Sequence, residues 1–414
     1  MTTDIRSRLL SLLLIAGVLG YVGRWFYSEH SIGRSFEQSK LAMREGEIAR
    51  ADELFAPVLA VRPTDGEVLF WSARLARLKG DPRDAHRRLK LAEGREWVPE
   101  LLTLEYHLLA LQRGDHTPVA ALIQMIERKH PDDVFILEVL TPALFANYQI
   151  DRAFVCVQRW VEIQPGRVAA WLLYAQISER LSNGEEIQRG YRRVLELAPD
   201  HLVARNGLID ELLVSRQAPD ALPVLEQLLA DHPSDRTGRL KMAKCRRMIG
   251  EHSVARTILD ELLRESPNDA MILAERGTIE MESGEPGEAE KWYREAVRHP
   301  PFEPSLYLQF AVCLERNDRR EEAAEQRVLH QRAESDLARV REVARAISLQ
   351  PRNVELRREA GEIMLRNHRE ADGIRWLQSV LELVPQDRDT HRLLAAYYEK
   401  RDPEKARQHF RFVN

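Results

Sequence analysis

Cysteine is nearly absent: Cys156, Cys245 and Cys313 are the only three in 414 residues, and they lie far apart. An odd number at such spacing excludes a disulfide framework, and no CxxC pair exists to hold a metal. Aromatic residues make up 7% of the chain, and Gly and Pro number 20 each. That is too little Gly and Pro for collagen or a low-complexity linker. Lysine is rare, with 9 against 52 arginines. Net charge is −4 and the pI is near 6.4, so no global positive field draws in nucleic acid. At that balance the arginine excess reads as compositional bias rather than phosphate recognition. A mean hydropathy of −0.41 excludes a polytopic membrane protein.

Long apolar runs are missing everywhere except at the start. Met1–Ser28 reads MTTDIRSRLLSLLLIAGVLGYVGRWFYS, with Arg6 and Arg8 ahead of a nearly unbroken apolar run from Leu9 to Gly23. Crossing a bilayer needs about 20 residues, and the run approaches that length when Trp25, Phe26 and Tyr27 are added at headgroup depth. Residues 1–30 are therefore expected to be a cytoplasmic n-region and a single transmembrane signal-anchor helix. Arg6 and Arg8 then keep the N-terminus inside and place the remainder outside the cytoplasm. A cleaved signal peptide is the competing reading, but bulky Tyr21, Arg24, Trp25 and Phe26 stand where small residues should precede cleavage. A buried or peripheral helix is the third.

The prolines carry the organisation. Pro131, Pro165, Pro199, Pro233, Pro267 and Pro301 are each 34 residues apart; Pro63 is in phase with them, Trp97 occupying the slot between. Pro351 and Pro385 are again 34 apart, and the one break in phase, Pro301 to Pro351, is 34 plus 16. Small residues recur in the same frame: Ala243, Gly250 and Ala255 in one period, then Gly277, Gly284, Ala289, Tyr293 and Ala296 in the next. Small residues let two helices approach, glycine supplies the turn between them, and proline stops the second helix. This pattern resembles the tetratricopeptide repeat family, over about residues 32–414.

The resemblance implies an all-α fold: a TPR-type α-solenoid, a right-handed superhelix of helix-turn-helix repeats behind a single N-terminal transmembrane helix. It divides the chain into eight consecutive 34-residue units over 32–303, a unit with a 16-residue-extended second helix over 304–353, and a last unit plus a truncated one over 354–414. Glu321–Gln350 lacks Gly and Pro and reads as one helix, with Ala333, Leu337, Val340, Ala344 and Ile347 along one stripe. That helix either packs on its neighbours or projects as an arm for homo-oligomerisation or partner docking.

Chemistry is missing. No phosphate loop, no GxGxxG after a strand, no HExxH and no GxSxG occurs, and the 13 histidines are scattered singly. No catalytic residue, no cofactor-binding residue and no metal ligand is assigned, no cofactor is expected, and the chain reads as a non-enzyme. The three cysteines read as buried thiols.

In tetratricopeptide proteins the first helix of each repeat lines the concave groove. Carried onto this sequence, that lining includes Phe70, Trp71, Leu104, Leu108, Phe135, Val139 and Leu172, an apolar set, followed by Lys241, Lys244 and Arg247 on one basic helix. These are the candidate partner-binding residues. The expected partners are proteins, through peptide or helical segments, with the membrane contacted by the N-terminal helix and no nucleic acid. On this reading Trp71→Glu with Leu104→Glu abolishes partner capture and leaves melting unchanged. The alternative for the apolar set is burial in the array's own packing. The functional expectation is a membrane-anchored interaction scaffold for an envelope or secretion complex; a cytosol-facing receptor or adaptor, or a regulatory subunit of an enzyme complex, is the alternative.

Overall fold

The computed structural model describes residues 29–413 except 96, 116, 129–130, 147–148, 300–302, 351 and 368. The expected anchor, residues 1–28, lies outside them. Among the described residues no helix is long and apolar enough to cross a membrane.

These residues form 22 helices, and the chain divides into two compact units, one ending at His201 and one beginning at Leu202. The first unit holds α1 (29–45), α2 (Ile48–Val61), α3 (Gly66–Leu78), α4 (Pro82–Glu93), α5 (Pro99–Gln112), α6 (Val119–Arg128), α7 (Val134–Ala146), α8 (Ile150–Ile163), α9 (Val168–Leu181) and α10 (Gly184–Leu197). The second holds α11 (Leu202–Val214), α12 (Ala218–Asp231), α13 (Arg236–Met248), α14 (His252–Glu265), α15 (Ala270–Glu282), α16 (Pro286–Ala296), α17 (Pro304–Arg316), α18 (Arg320–Leu349), α19 (Val354–Arg366), α20 (Glu370–Leu383), α21 (Arg388–Tyr398) and α22 (Pro403–Phe410). From α3 onward each odd-numbered helix contacts the next even one, an all-α solenoid arrangement within each unit.

The repeat boundary is a Pro-x-Asp signal. Proline ends the even helix, and the residue two positions later caps the next odd helix by accepting backbone N–H bonds. Asp65 accepts from Val68 at 3.0 Å, Asp133 from Phe135 at 2.9 Å, Asp269 from Met271 at 2.9 Å and Asp387 from Thr390 at 2.8 Å. Inside eight of the pairs the chain reverses through one left-handed residue. Gly46, Gly80, Gly114, Gly250 and Gly284 have φ of 78 to 86°, and Ser182, Arg216 and Asp318 fill the same slot at 54, 57 and 62°. The slot recurs at multiples of 34, so three side chains occupy a conformation that glycine adopts without strain.

Packing explains the alanines. Ala51, Ala85, Ala153, Ala221, Ala255, Ala289 and Ala323 occupy one column at the repeat period, and all are buried. Beside one of them, Tyr293 and Phe310 fill the core with ring centroids 6.3 Å apart. Odd helices touch the next odd helix within each unit, as α3–α5–α7–α9 and α11–α13–α15–α17 do, whereas even helices make no comparable contact with each other. The closer row is the inner side of each unit's curvature. Cys156, Cys245 and Cys313 are buried, and Cys245 and Cys313 direct their thiols at the carbonyls of Ala218 and Pro286. Burial pushes the Cys313 thiol up to about 11.

The sixteen extra residues lengthen α18 to 30 residues. Its first half lies along α17, with Arg327 on Glu315 at 2.9 Å and the His330 ring on the Pro304 carbonyl at 3.0 Å. The second half lies along α19, with Asp336 on Arg366 at 2.5 Å and Arg339 on Glu359 at 2.6 Å. Ala333, Val340, Val343 and Ile347 are buried beneath these contacts, and Leu337 and Ala344 are half-buried.

Candidate interaction surface

The inner face of the first unit is built by α3, α5 and α7, and it is filled by its own side chains. Trp71 packs edge-on against Phe135 with centroids 6.2 Å apart, joining helices two repeats apart. The Arg74 guanidinium lies 4.3 Å from the Phe135 ring centre and 4.9 Å from those of Phe70 and Trp71. Lys40 covers Phe36 at 4.0 Å. Phe70, Trp71, Leu104, Leu108, Phe135 and Val139 are all buried, none more than 9% exposed. Six of the ten candidates therefore sit in the interior of the first unit rather than on an open apolar groove. The reason is curvature: side chains from alternate repeats meet across the face. Leu172 is half-buried on α9.

Three residues of this interior have no counterpart among the candidates. Arg74 Nε donates to Glu105 Oε2 at 2.7 Å, and Arg77 Nε donates to Glu105 Oε1 at 2.5 Å, with all three side chains at most 5% exposed. Burial pushes the Glu105 carboxyl up, but the two guanidinium groups outweigh it and hold the acid below its ordinary value. The available signal was Glu105 itself, the lone carboxylate in the apolar stretch Leu101–Leu111.

Opposite charges about one repeat apart are a general device here. Arg159 meets Asp132 at 2.5 Å, Arg294 meets Glu322 at 2.9 Å and Arg358 meets Asp387 at 2.9 Å. The planar fork of arginine suits such carboxylate contacts, giving the arginine excess a structural use.

The inner face of the second unit is different. On α13, Lys241 reaches back to Asp210 at 2.8 Å and to Asn206 at 3.0 Å. Arg247 reaches forward to Glu275 at 2.5 Å and Glu282 at 2.6 Å. Burial works against the Arg247 charge, yet those carboxylates win and hold its pKa above the ordinary arginine value. Lys244 lies between them, half-buried, and takes no hydrogen bond or ion pair from the described residues. Beside Arg247 opens a cleft of 710 Å³ lined by Leu213, Val214, Arg216, Met248, Gly250, His252 and Glu282. Val214 at its rim is 79% exposed. A smaller apolar cleft of 250 Å³ lies in the first unit among Ile123, Ile126, Leu140, Leu144, Val155 and Cys156. Among the described residues no group of three or more His, Cys, Asp or Glu side chains is placed to hold a metal ion.

Residues 212–274, which include all of α12, α13 and α14, match the family model described as tetratricopeptide repeat. The hairpins of this stretch are tetratricopeptide repeats. Solved structures similar to the chain include MamA from Desulfovibrio magneticus RS-1, 15% identical, covering 40% of this chain and 94% of that one at a TM-score of 0.37. PilW, described as a widely conserved type IV pilus biogenesis factor, is 19% identical over 48% of this chain and 92% of its own, with a TM-score of 0.39. A tetratricopeptide repeat protein from Parabacteroides merdae ATCC 43184 is 14% identical over 69% and 99%, with a TM-score of 0.34. None of the curated proteins matches the sequence.

Proposed function

We propose that this chain is a non-catalytic protein–protein interaction scaffold whose working surface is the inner face of the second unit, centred on Lys244. The observation that carries the reading is a half-buried ammonium with no carboxylate partner, flanked on the same helix by two cations that each have one. A partner segment that brings an acidic group to Lys244 and apolar side chains over Leu213, Val214 and Met248 satisfies both the charge and the cleft. The test is crosslinking pull-down from native cells with the full chain, identified by mass spectrometry, comparing wild type with Lys244→Glu. Loss of a specific partner with an unchanged Tm supports the assignment, and an identical partner set in both samples removes it.

We also propose that residues 1–28 anchor the array in a membrane with the repeats outside the cytoplasm, in service of an envelope or secretion complex. Support comes from Arg6 and Arg8 ahead of the Leu9–Gly23 run and the aromatics behind it. Because the three native cysteines are buried, Val203→Cys, at a position 54% exposed and outside the cleft, supplies an accessible thiol for a membrane-impermeant label on intact cells. Failure to label overturns this topology and favours a cytosol-facing receptor. Self-association through α18 is a related proposal, since Val328 and Leu329 on its open side are 64% and 41% exposed. Light scattering of wild type and Val328→Asp decides it.

A further inference from the structure

The Arg74–Glu105–Arg77 triad is out of charge balance. Two cations share one carboxylate in a space where each side chain is at most 5% exposed. Lys40 is shared by Glu67 at 2.6 Å and the exposed Glu37 at 2.9 Å, and Arg167 takes Glu138 at 2.6 Å; none of these carboxylates bonds Arg74 or Arg77. A buried net charge is costly unless a counter-ion meets it. Hydrogen bonding gives an independent sign. Arg77 Nη1 and Nη2 and Arg74 Nη2 are buried and take no partner from the protein, although buried polar atoms are rarely left so. Both Arg77 Nη atoms belong to the end-on edge of one guanidinium, the edge that presents two parallel N–H bonds. That fork fits an oxyanion with two oxygens side by side.

We propose that the interior of the first unit binds one oxyanion, held bidentately by the Nη1/Nη2 edge of Arg77 with Arg74 Nη2 as a third donor. The anion supplies the negative charge the triad lacks. The rings of Trp71 and Phe135, which meet edge to face over Arg74, part to admit it. A carboxylate on an acidic peptide and free phosphate share the chemistry. This site is independent of the surface around Lys244, so either can fail alone.

The test is thermal unfolding of the full chain in buffers of matched ionic strength, with chloride replaced by phosphate, by a short capped Asp/Glu peptide, or by its Asn/Gln counterpart. The expected result is a saturable rise in Tm of about 5 °C for an anion at well above its dissociation constant, with none for the amide peptide. A rise with peptide alone identifies the source as a protein carboxylate; a rise with phosphate shows that the free ion suffices. Arg77→Met, which balances the triad, keeps the fold and loses the response. Arg77→Lys, which keeps the charge without the fork, loses most of it. No saturable rise in wild type, or an equal rise in Arg77→Met, overturns the assignment.

Discussion

Arg247 and Glu275 are 28 residues apart in the chain and 2.5 Å apart in space, joining α13 to α15 on the inner face of the second unit. The same guanidinium holds Glu282, so one side chain ties a repeat to two points of the next. Side-chain exposures of 17% for Arg247 and 9% for Glu275 put the contact mostly out of solvent screening. Removing the cation by Arg247→Met leaves the largely buried Glu275 without its guanidinium partner. The expected loss is about 2 kcal/mol, measured by urea unfolding. A change below a few tenths of a kcal/mol would show that the pair contributes nothing net.

The left-handed slot gives a prediction of opposite sign. Arg216 sits there at φ 57°, a conformation unfavourable for a side chain by about 1 kcal/mol. Arg216→Gly should raise the Tm, and Gly250→Ala, at φ 86° in the next repeat, should lower it by a similar amount. Finding both substitutions neutral by calorimetry argues against strain at this slot.

Trp71→Glu with Leu104→Glu now has a different expected outcome from that of an open groove. Both side chains are interior, Trp71 at 9% and Leu104 at 2% exposure, and two buried unpaired carboxylates together cost about 5 kcal/mol or more. Circular dichroism of the double variant should show lost helicity and an early transition from the first unit. Native-like melting would place these side chains at an accessible face after all.

The end of the second unit should respond to mild acid. His391 Nδ1 and His409 Nδ1 are 2.8 Å apart, and His391 Nε2 donates to the Pro385 carbonyl at 3.0 Å, so His391 accepts from His409. Burial, then the His391 charge, pushes His409 below its ordinary value. A histidine with a lowered folded pKa binds fewer protons folded than unfolded. Its contribution is therefore complete above the ordinary value near 6.5 and falls as the pH drops through it. Protection factors in α22, which discount the base-catalysed intrinsic rate, should be lower at pH 5.5 than at 7.5, and His409→Phe, which keeps a ring against Tyr398, should flatten the difference. An unchanged pH dependence in that variant assigns it elsewhere.

Helix order, turn positions and the alanine column follow from the 34-residue spacing, because each is a local event: a proline, a cap, a left-handed residue. Three turn residues, Ser182, Arg216 and Asp318, were hidden since their chemistry does not announce a positive φ. The state of the candidate surface was less legible. Periodicity shows that Trp71 and Phe135 share a side of the repeats, but whether they touch depends on curvature, a sum of small rotations that no single residue encodes. Lys241, Lys244 and Arg247 look equivalent along α13. Only the carboxylates at Asp210 and Glu275, 31 and 28 residues away, separate the paired cations from the unpaired one.

The 30-residue α18 also bears on how the array comes apart. In a simple stack, a hairpin can fray while its neighbours stay folded, since each contact is with an adjacent repeat. Here α17 and α19 are seated on successive halves of one rod, and Arg369 bonds Glu303 across 66 residues at 3.1 Å. Melting either half exposes the apolar seam of the other. Residues 304–366 should thus open as a single cooperative block, with uniform exchange protection where the surrounding repeats show a gradient.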